Sequence, residues 1–334
     1  MVPRRRMLAI MAASLATGGA AAAATAADVA GAGLAALATP DGDAIAQWRG
    51  VALGADASIT LAHPQAEAML ARARTEIDRL EGIFSLYRRD SALARLNAEG
   101  RLEAPPFELL ECLGQCARVH ALSGGLFDPT IQPLWALYAA HFAAAGRAGL
   151  PSRQARAEVM RRTGWERVAF DAGAVRLAPG MALSLNGIAQ GYIADRVADL
   201  LRGWGLDDVL VNTGELHALG GDPRGGDWLV GLRAGGRVLR ERVALRDGAL
   251  ASSAVGGTVF DAAGRVGHIL DPLRGLPAPQ RWQLVTVQAP RAWLADALST
   301  AFCLMEAPAI AAALASEPRA RLVRLLAQDQ PRAG

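Results

Sequence analysis

The sequence predicts an α+β fold of mixed sheets with packed helices for most of its 334 residues. Three observations carry that expectation. Stretches with apolar residues three or four apart stand among stretches that alternate apolar and polar, the periods of helix and strand respectively. The two kinds follow one another unevenly, without the regular strand–helix alternation that builds a doubly wound parallel sheet. No G-x-G-x-x-G follows a strand, so a nucleotide ligand has to be held without that phosphate-binding turn.

In chain order, residues 1–27 place three arginines ahead of a weakly apolar stretch ending in an Ala-Thr-Ala match to the A-x-A cleavage pattern. The Arg-Arg pair followed by Met-Leu resembles a twin-arginine export signal. Residues 28–45 read as an Ala/Gly/Asp linker and 46–330 as one domain, with no later run apolar enough to span a bilayer. The expectation is a periplasmic protein; an inner-membrane anchor made by an uncleaved signal is the alternative.

Trp48 to Ala62 alternates as a strand does. Pro64 opens a helix to about Gly82, with Met69, Ala73, Ile77, Leu80 and Phe84 on one face. Further helices are expected at 106–122, 133–145 and 152–162, and short strands near 166–170 and 182–185. A helix over 187–202 and a strand at 208–212 come next. Glycine-rich turns separate several strands between 227 and 288. Helices at 291–305 and 307–316 and a strand near 320–326 complete the chain.

Composition narrows the chemistry. Apolar types make up 52% and charged types 20%, which is globular. All 35 basic residues are arginine. Lacking lysine, the chain has no Walker-type phosphate loop, no Schiff base and no lysine general base. The net charge is +3, arginines 4 to 6 supply that excess, and no basic stripe interleaved with aromatics suggests nucleic acid. Cys112 and Cys116 share a helical face at the edge of disulfide geometry, and with Cys303 they read as buried free thiols.

Four stretches set polar residues beside glycine. SGGLFDPTIQPLW (123–135) suits a helix stop and a turn. LSLNGIAQGYIAD (183–195) runs a strand into a helix across Asn186 and Gly187, and a helix N-terminus can bind phosphate. GHILDPLRG (267–275) holds His268, a residue type that serves as a general base but is more often structural. ADALST (295–300) sets Asp296 and Thr300 on one helix face, two hard oxygen donors that suit Mg²⁺ better than zinc, although such a pair is more often a cap or surface-polar feature.

In this order, together with IFSLYRRDSALARLN (83–97) and ALASSA (249–254), these stretches resemble the FAD:protein FMN transferase (ApbE) family from about residue 48 to 326. The resemblance implies an ApbE-like α+β fold with a flavin cleft between two lobes. It implies an Mg²⁺-dependent enzyme that cleaves FAD, releases AMP and attaches FMN by a phosphoester to a threonine of an acceptor protein. Mg²⁺ is then held by Asp296, Thr300 and the Gly187 carbonyl. FAD is held around Leu53, Tyr87, Leu126, Phe127, Asp128, Ser184, Gln190 and Leu270, with His268 as catalytic base.

Gln190 stands where the family usually has lysine, and Ser184 where it frequently has aspartate; Ser252 replaces a threonine. These departures, with the export signal, resemble the NosX-type subgroup of nitrous-oxide respiration, which implies a NosR-like acceptor carrying an FMN-binding domain. Arg274 is a candidate phosphate partner. An FAD pyrophosphatase and a non-catalytic FAD-binding assembly protein are the alternatives.

Overall fold

The computed structural model describes residues 44–144 and 149–328; the expected export signal and nearly all of the expected linker lie outside the described residues. The chain opens as a hairpin of β1 (Ile45–Ala52) and β2 (Ala55–Ala62), where a single strand is expected. Leu53 and Gly54 make its two-residue turn with φ of 49° and 85°, the doubly left-handed turn that matches strand twist. Leucine is a poor marker for such a turn, so the apolar alternation runs through it unbroken.

Helix α1 (Ala66–Phe84) buries Met69, Ala73, Ile77, Leu80 and Phe84, the face its spacing predicts. Helix α2 (Ala92–Glu99), unforeseen, has Ser91 as N-cap accepting from the Ala94 amide and left-handed Gly100 as its stop. Strand β3 (Arg101–Glu103), helix α3 (Phe107–Leu122), helix α4 (Gln132–Ala143) and helix α5 (Arg153–Met160) follow. Next come β4 (Val168–Phe170) and β5 (Ala174–Leu177).

The strand expected at 182–185 does not form. Both backbone groups of Leu183 pair instead with the Asn97 side chain, N–H to Oδ1 at 2.7 Å and Nδ2 to carbonyl at 2.8 Å. That amide takes the place of a neighbouring strand.

Helix α6 (Ala189–Gly203), β6 (Val209–Asn212), β7 (Leu216–Leu219), β8 (Trp228–Ala234), β9 (Arg237–Leu245) and β10 (Gly248–Ser253) continue the chain. Two-residue strands β11 (Leu270–Asp271) and β12 (Leu276–Pro277) flank a tight turn. Then come β13 (Trp282–Ala289), α7 (Ala292–Phe302), α8 (Ala307–Ser316) and β14 (Arg321–Ala327).

The main sheet has seven strands in the order β1-β2-β6-β7-β10-β13-β14, every neighbouring pair antiparallel. Alternate residues divide between its faces. Val209, Val211, Ala249, Ala251, Val285 and Val287 join the large core with the helices. Leu210, Leu250 and Leu284 point the other way, beneath Trp228, Val230 and Leu232 of the β8–β9 hairpin. Strands β3, β4 and β5 form a separate small sheet. The three cysteines are free and buried, as the sequence reading holds, and burial pushes the Cys116 and Cys303 thiols up, keeping them protonated.

Candidate active site

Helix α7 carries the acidic side of the site because its backbone is fixed by Asp195 of α6. One Asp195 oxygen accepts the Ala292 amide at 2.7 Å, and the other accepts the Trp293 amide at 3.0 Å. Two otherwise orphaned donors at the start of α7 are thereby satisfied. His217 lies 2.5 Å from the same carboxylate, and Arg291 approaches it at 3.5 Å. Gly191 lets α6 come this close: a Cβ there would stand 2.3 Å from the Ala292 carbonyl oxygen. In return the Gly191 amide donates to Asp296 at 3.2 Å.

Asp296 and Thr300 face a cavity of about 160 Å³ together with Leu126, Phe127, Asp128, Ser184, Gly187, Gln190, His268 and Leu270. Ten of the twelve positions the resemblance selects are thus brought together from four stretches of chain. The remaining two, Leu53 and Tyr87, lie outside the cavity lining and beside each other, since a Cβ on Gly54 would be 3.6 Å from the Tyr87 ring. Their link to the cavity is Asn186, which lines it and hydrogen-bonds the Tyr87 side chain. A cavity this small takes a phosphate-sized group and leaves the rest of a dinucleotide to extend along its rim; whole-ligand pockets run to about 300–1,000 Å³.

Local backbone devices hold each wall. Gly124 and Gly125 both take positive φ after α3, which turns the chain so that the Phe127 amide reaches the Ser123 hydroxyl at 2.9 Å. Asp128 caps the following turn, accepting from the Thr130 amide and hydroxyl at 2.8 and 2.7 Å. On the opposite wall the Ser253 hydroxyl lies 2.8 Å from Ser299 and 3.4 Å from Thr300. Gly187 is pressed against Thr300, whose hydroxyl would stand 3.1 Å from an added Cβ.

His268 is half-buried, and its Nδ1 lies 3.0 Å from the Thr258 carbonyl. A carbonyl only accepts, so Nδ1 bears the proton and Nε2 presents a lone pair. Burial lowers the ring's pKa, opposed in part by the Thr258 carbonyl. The neutral base form therefore persists to lower pH than in a free histidine.

The cavity is acidic. Asp128, Glu215 and Asp296 line it, and no arginine does. Arg274, the candidate phosphate partner, points instead into solvent beside Asp271 at 3.9 Å. Burial pushes the Asp296 carboxyl up to about 8, helped by the charge of Asp195 and opposed by the Gly191 amide. Glu215, which the sequence reading missed, is raised well above the usual carboxylate range by burial and by Asp296.

Two carboxylates with no cationic partner among the described residues fit a divalent cation, as does the close approach of Gly187 to the Thr300 hydroxyl. Among the described residues no three His, Cys, Asp or Glu side chains are grouped to hold a metal. The side-chain oxygens of Asp296, Glu215 and Thr300 that line the cavity are hard donors, the kind that suits Mg²⁺ better than zinc.

Comparison with known proteins agrees with this architecture. A model of the ApbE family matches residues 53–323. The FAD:protein FMN transferase of Treponema pallidum (strain Nichols) is 34% identical over 264 residues, covering 71% of this chain and 72% of that protein. The apo crystal structure of the Pseudomonas stutzeri flavinyl transferase ApbE is 28% identical and superposes with a TM-score of 0.71, over 81% of this chain and 88% of that one. An ApbE protein of Thermotoga maritima, 26% identical, gives 0.73 over 84% and 94%. With a match along most of its length and the same fold, this chain belongs to the ApbE family.

Proposed function

We propose that the protein is an FAD:protein FMN transferase that works with Mg²⁺ and modifies a threonine of a respiratory acceptor. The observation that carries the reading is the pairing, in one small cavity, of a neutral histidine offering Nε2 with two buried, cation-less carboxylates. Relatives named FAD:protein FMN transferase supply the substrate and the reaction class.

The acceptor hydroxyl is a weak nucleophile at neutral pH, and His268 Nε2 is placed to take its proton. As its oxygen bonds to the phosphorus on the FMN side, the bond from that phosphorus to the AMP phosphate oxygen breaks and AMP departs. Asp296, Thr300 and the Gly187 carbonyl would hold Mg²⁺, which would supply the charge neutralisation for the pyrophosphate that the cavity's described side chains do not. Leu126, Phe127 and Leu270 give the flavin-side chain apolar walls, while Ser184 and Gln190 offer neutral hydrogen-bonding groups. Leu53 and Tyr87 provide a rim on which the flavin ring rests.

The reading extends to location and partner. The twin-arginine-type pattern of residues 1–27 supports export to the periplasm, and the residues departing from the family pattern support a NosR-like acceptor with an FMN-binding domain. No helix among the described residues is long and apolar enough to cross a membrane.

Mixing the purified protein, FAD and Mg²⁺ with an acceptor FMN-binding domain and weighing the acceptor tests the proposal. A gain of one FMN, abolished by Asp296→Ala or His268→Ala, is the expected result. Free FMN and AMP without labelling would show a pyrophosphatase, and intact FAD a binding protein.

A further inference from the structure

Glu215 sits on the turn between β6 and β7, is 4% exposed, and belongs to none of the motifs that mark the family in this sequence. Among the described residues its carboxylate accepts one hydrogen bond, from the Ser252 amide to Oε2 at 3.2 Å. Among the described residues no arginine or histidine pairs with it, and it lines the same cavity as Asp296. A buried carboxylate left in this state is costly unless something positive is opposite it.

The neighbours of Glu215 trace a closed ring around the acidic end of the cavity. Gly214, beside it, presses on the Gln190 side chain, where an added Cβ would stand 2.7 Å from the amide. Thr213 donates its hydroxyl to the Gln190 carbonyl at 2.8 Å. The next residue, Gly191, donates its amide to Asp296. Thr300, one turn along α7 from Asp296, meets Ser253, and Ser252 returns to Glu215. Asp296, itself 3% exposed, has that Gly191 amide as its hydrogen-bond partner among the described residues, which leaves an oxygen on each carboxylate for a ligand. The donors on this ring are oxygens of two acids and a hydroxyl, and the positive charge they lack is that of a divalent cation.

We infer that Glu215 is an additional holder of the divalent cation, contributing a carboxylate oxygen from the β6–β7 turn while Asp296 and Thr300 contribute theirs from α7. The inference rests on the Mg²⁺ reading above. A second carboxylate explains how an active site without lysine or arginine binds its cation tightly enough to accept a pyrophosphate. It also gives the β6–β7 turn a reason to be pinned to both α6 and β10.

The test is Mn²⁺ binding to the purified protein without flavin, read by the free-Mn²⁺ electron paramagnetic resonance signal, together with thermal unfolding with and without the metal. Wild type is expected to bind Mn²⁺ and to unfold at a higher temperature when it is present. Glu215→Gln should weaken Mn²⁺ binding by at least about 10-fold, the lower end of what losing a supporting group around a metal costs. It should also unfold no earlier than wild type in metal-free buffer, because the amide keeps the side chain's shape and its oxygen can still accept the Ser252 N–H. Glu215→Asp, which keeps the charge, should retain more Mn²⁺ binding than Glu215→Gln.

Glu215→Gln binding Mn²⁺ as wild type does, while Asp296→Asn loses it, would overturn the inference and leave the Mg²⁺ reading intact. Weak binding accompanied by early unfolding of metal-free Glu215→Gln and Glu215→Asp alike would assign Glu215 a structural role and overturn it too. A wild-type protein that takes up no Mn²⁺ would remove the Mg²⁺ reading and this inference together.

Discussion

Gly191→Ala tests whether the contact between α6 and α7 sets the geometry of the site. The new methyl would lie 2.3 Å from the Ala292 carbonyl oxygen, 2.5 Å from its carbon and 2.7 Å from the Trp293 nitrogen, where ordinary contact begins at 3.4 Å. All three obstacles are backbone, so no rotamer change relieves them, and the two helices must separate by roughly 1 Å at this point. Overpacking of this kind costs about 1–3 kcal/mol. In a chain of 334 residues, at about 2.1 cal/mol/K of unfolding entropy per residue, that corresponds to a fall in Tm of roughly 1–4 °C. The catalytic loss should be larger than the stability loss suggests. Helix α7 carries Asp296 and Thr300, the Gly191 amide is itself bonded to Asp296, and a 1 Å misplacement of reacting groups costs about 100-fold. Thermal unfolding and the rate of FMN transfer to an acceptor domain are the assays. A Gly191→Ala protein with unchanged Tm and a transfer rate within about twofold of wild type, the range of an indifferent surface change, would refute this reasoning.

The remaining predictions concern the groups around that contact. Asp195→Ala strands the Ala292 and Trp293 amides and the His217 ring, and at about 1–3 kcal/mol per unsatisfied buried group the loss in denaturant unfolding should exceed 3 kcal/mol. His268→Gln should lower FMN transfer by roughly 10²–10⁴-fold while leaving FAD binding in place. Because burial depresses the His268 pKa, the base form predominates at neutral pH. The acid limb of the transfer rate should then fall below the ordinary histidine value of about 6.5, and a limb above 7 would contradict the assignment. Metal affinity should move the other way. Asp296, held up to about 8, must release its proton to bind a cation, so Mn²⁺ affinity should rise from pH 6 through 8. Affinity that is flat across that window would count against Asp296 as a ligand.

Much of the fold is legible because its strongest signals are periodic. Helix α1 and strands β6 and β14 follow directly from spacing and alternation, whereas β7 (Leu216–Leu219) is not foreseen. The places where sequence reasoning stops are those where a side chain stands in for backbone or a turn uses an unmarked residue. Asn97 pairs with Leu183 as a strand would, and nothing near residue 97 announces a partner some ninety residues on. Leu53 takes a left-handed conformation that its type disfavours, so one expected strand is a hairpin.

The site divides along the same line. Asp296 and Thr300 are readable as a pair because helical spacing alone puts them on one face, and the glycines near His268 and Phe127 mark turns. Glu215 and Asp195 escape notice because their meaning is entirely non-local. Asp195 is one more helix residue until α7 docks its first two amides on it. Glu215 is a turn acid until the fold buries it beside Asp296 without a cation. Gly191 joins the two halves of the argument. Its lack of a side chain reads in sequence as room for close packing, and in the fold it becomes a distance constraint between helices that determines where the carboxylate on α7 meets the cavity.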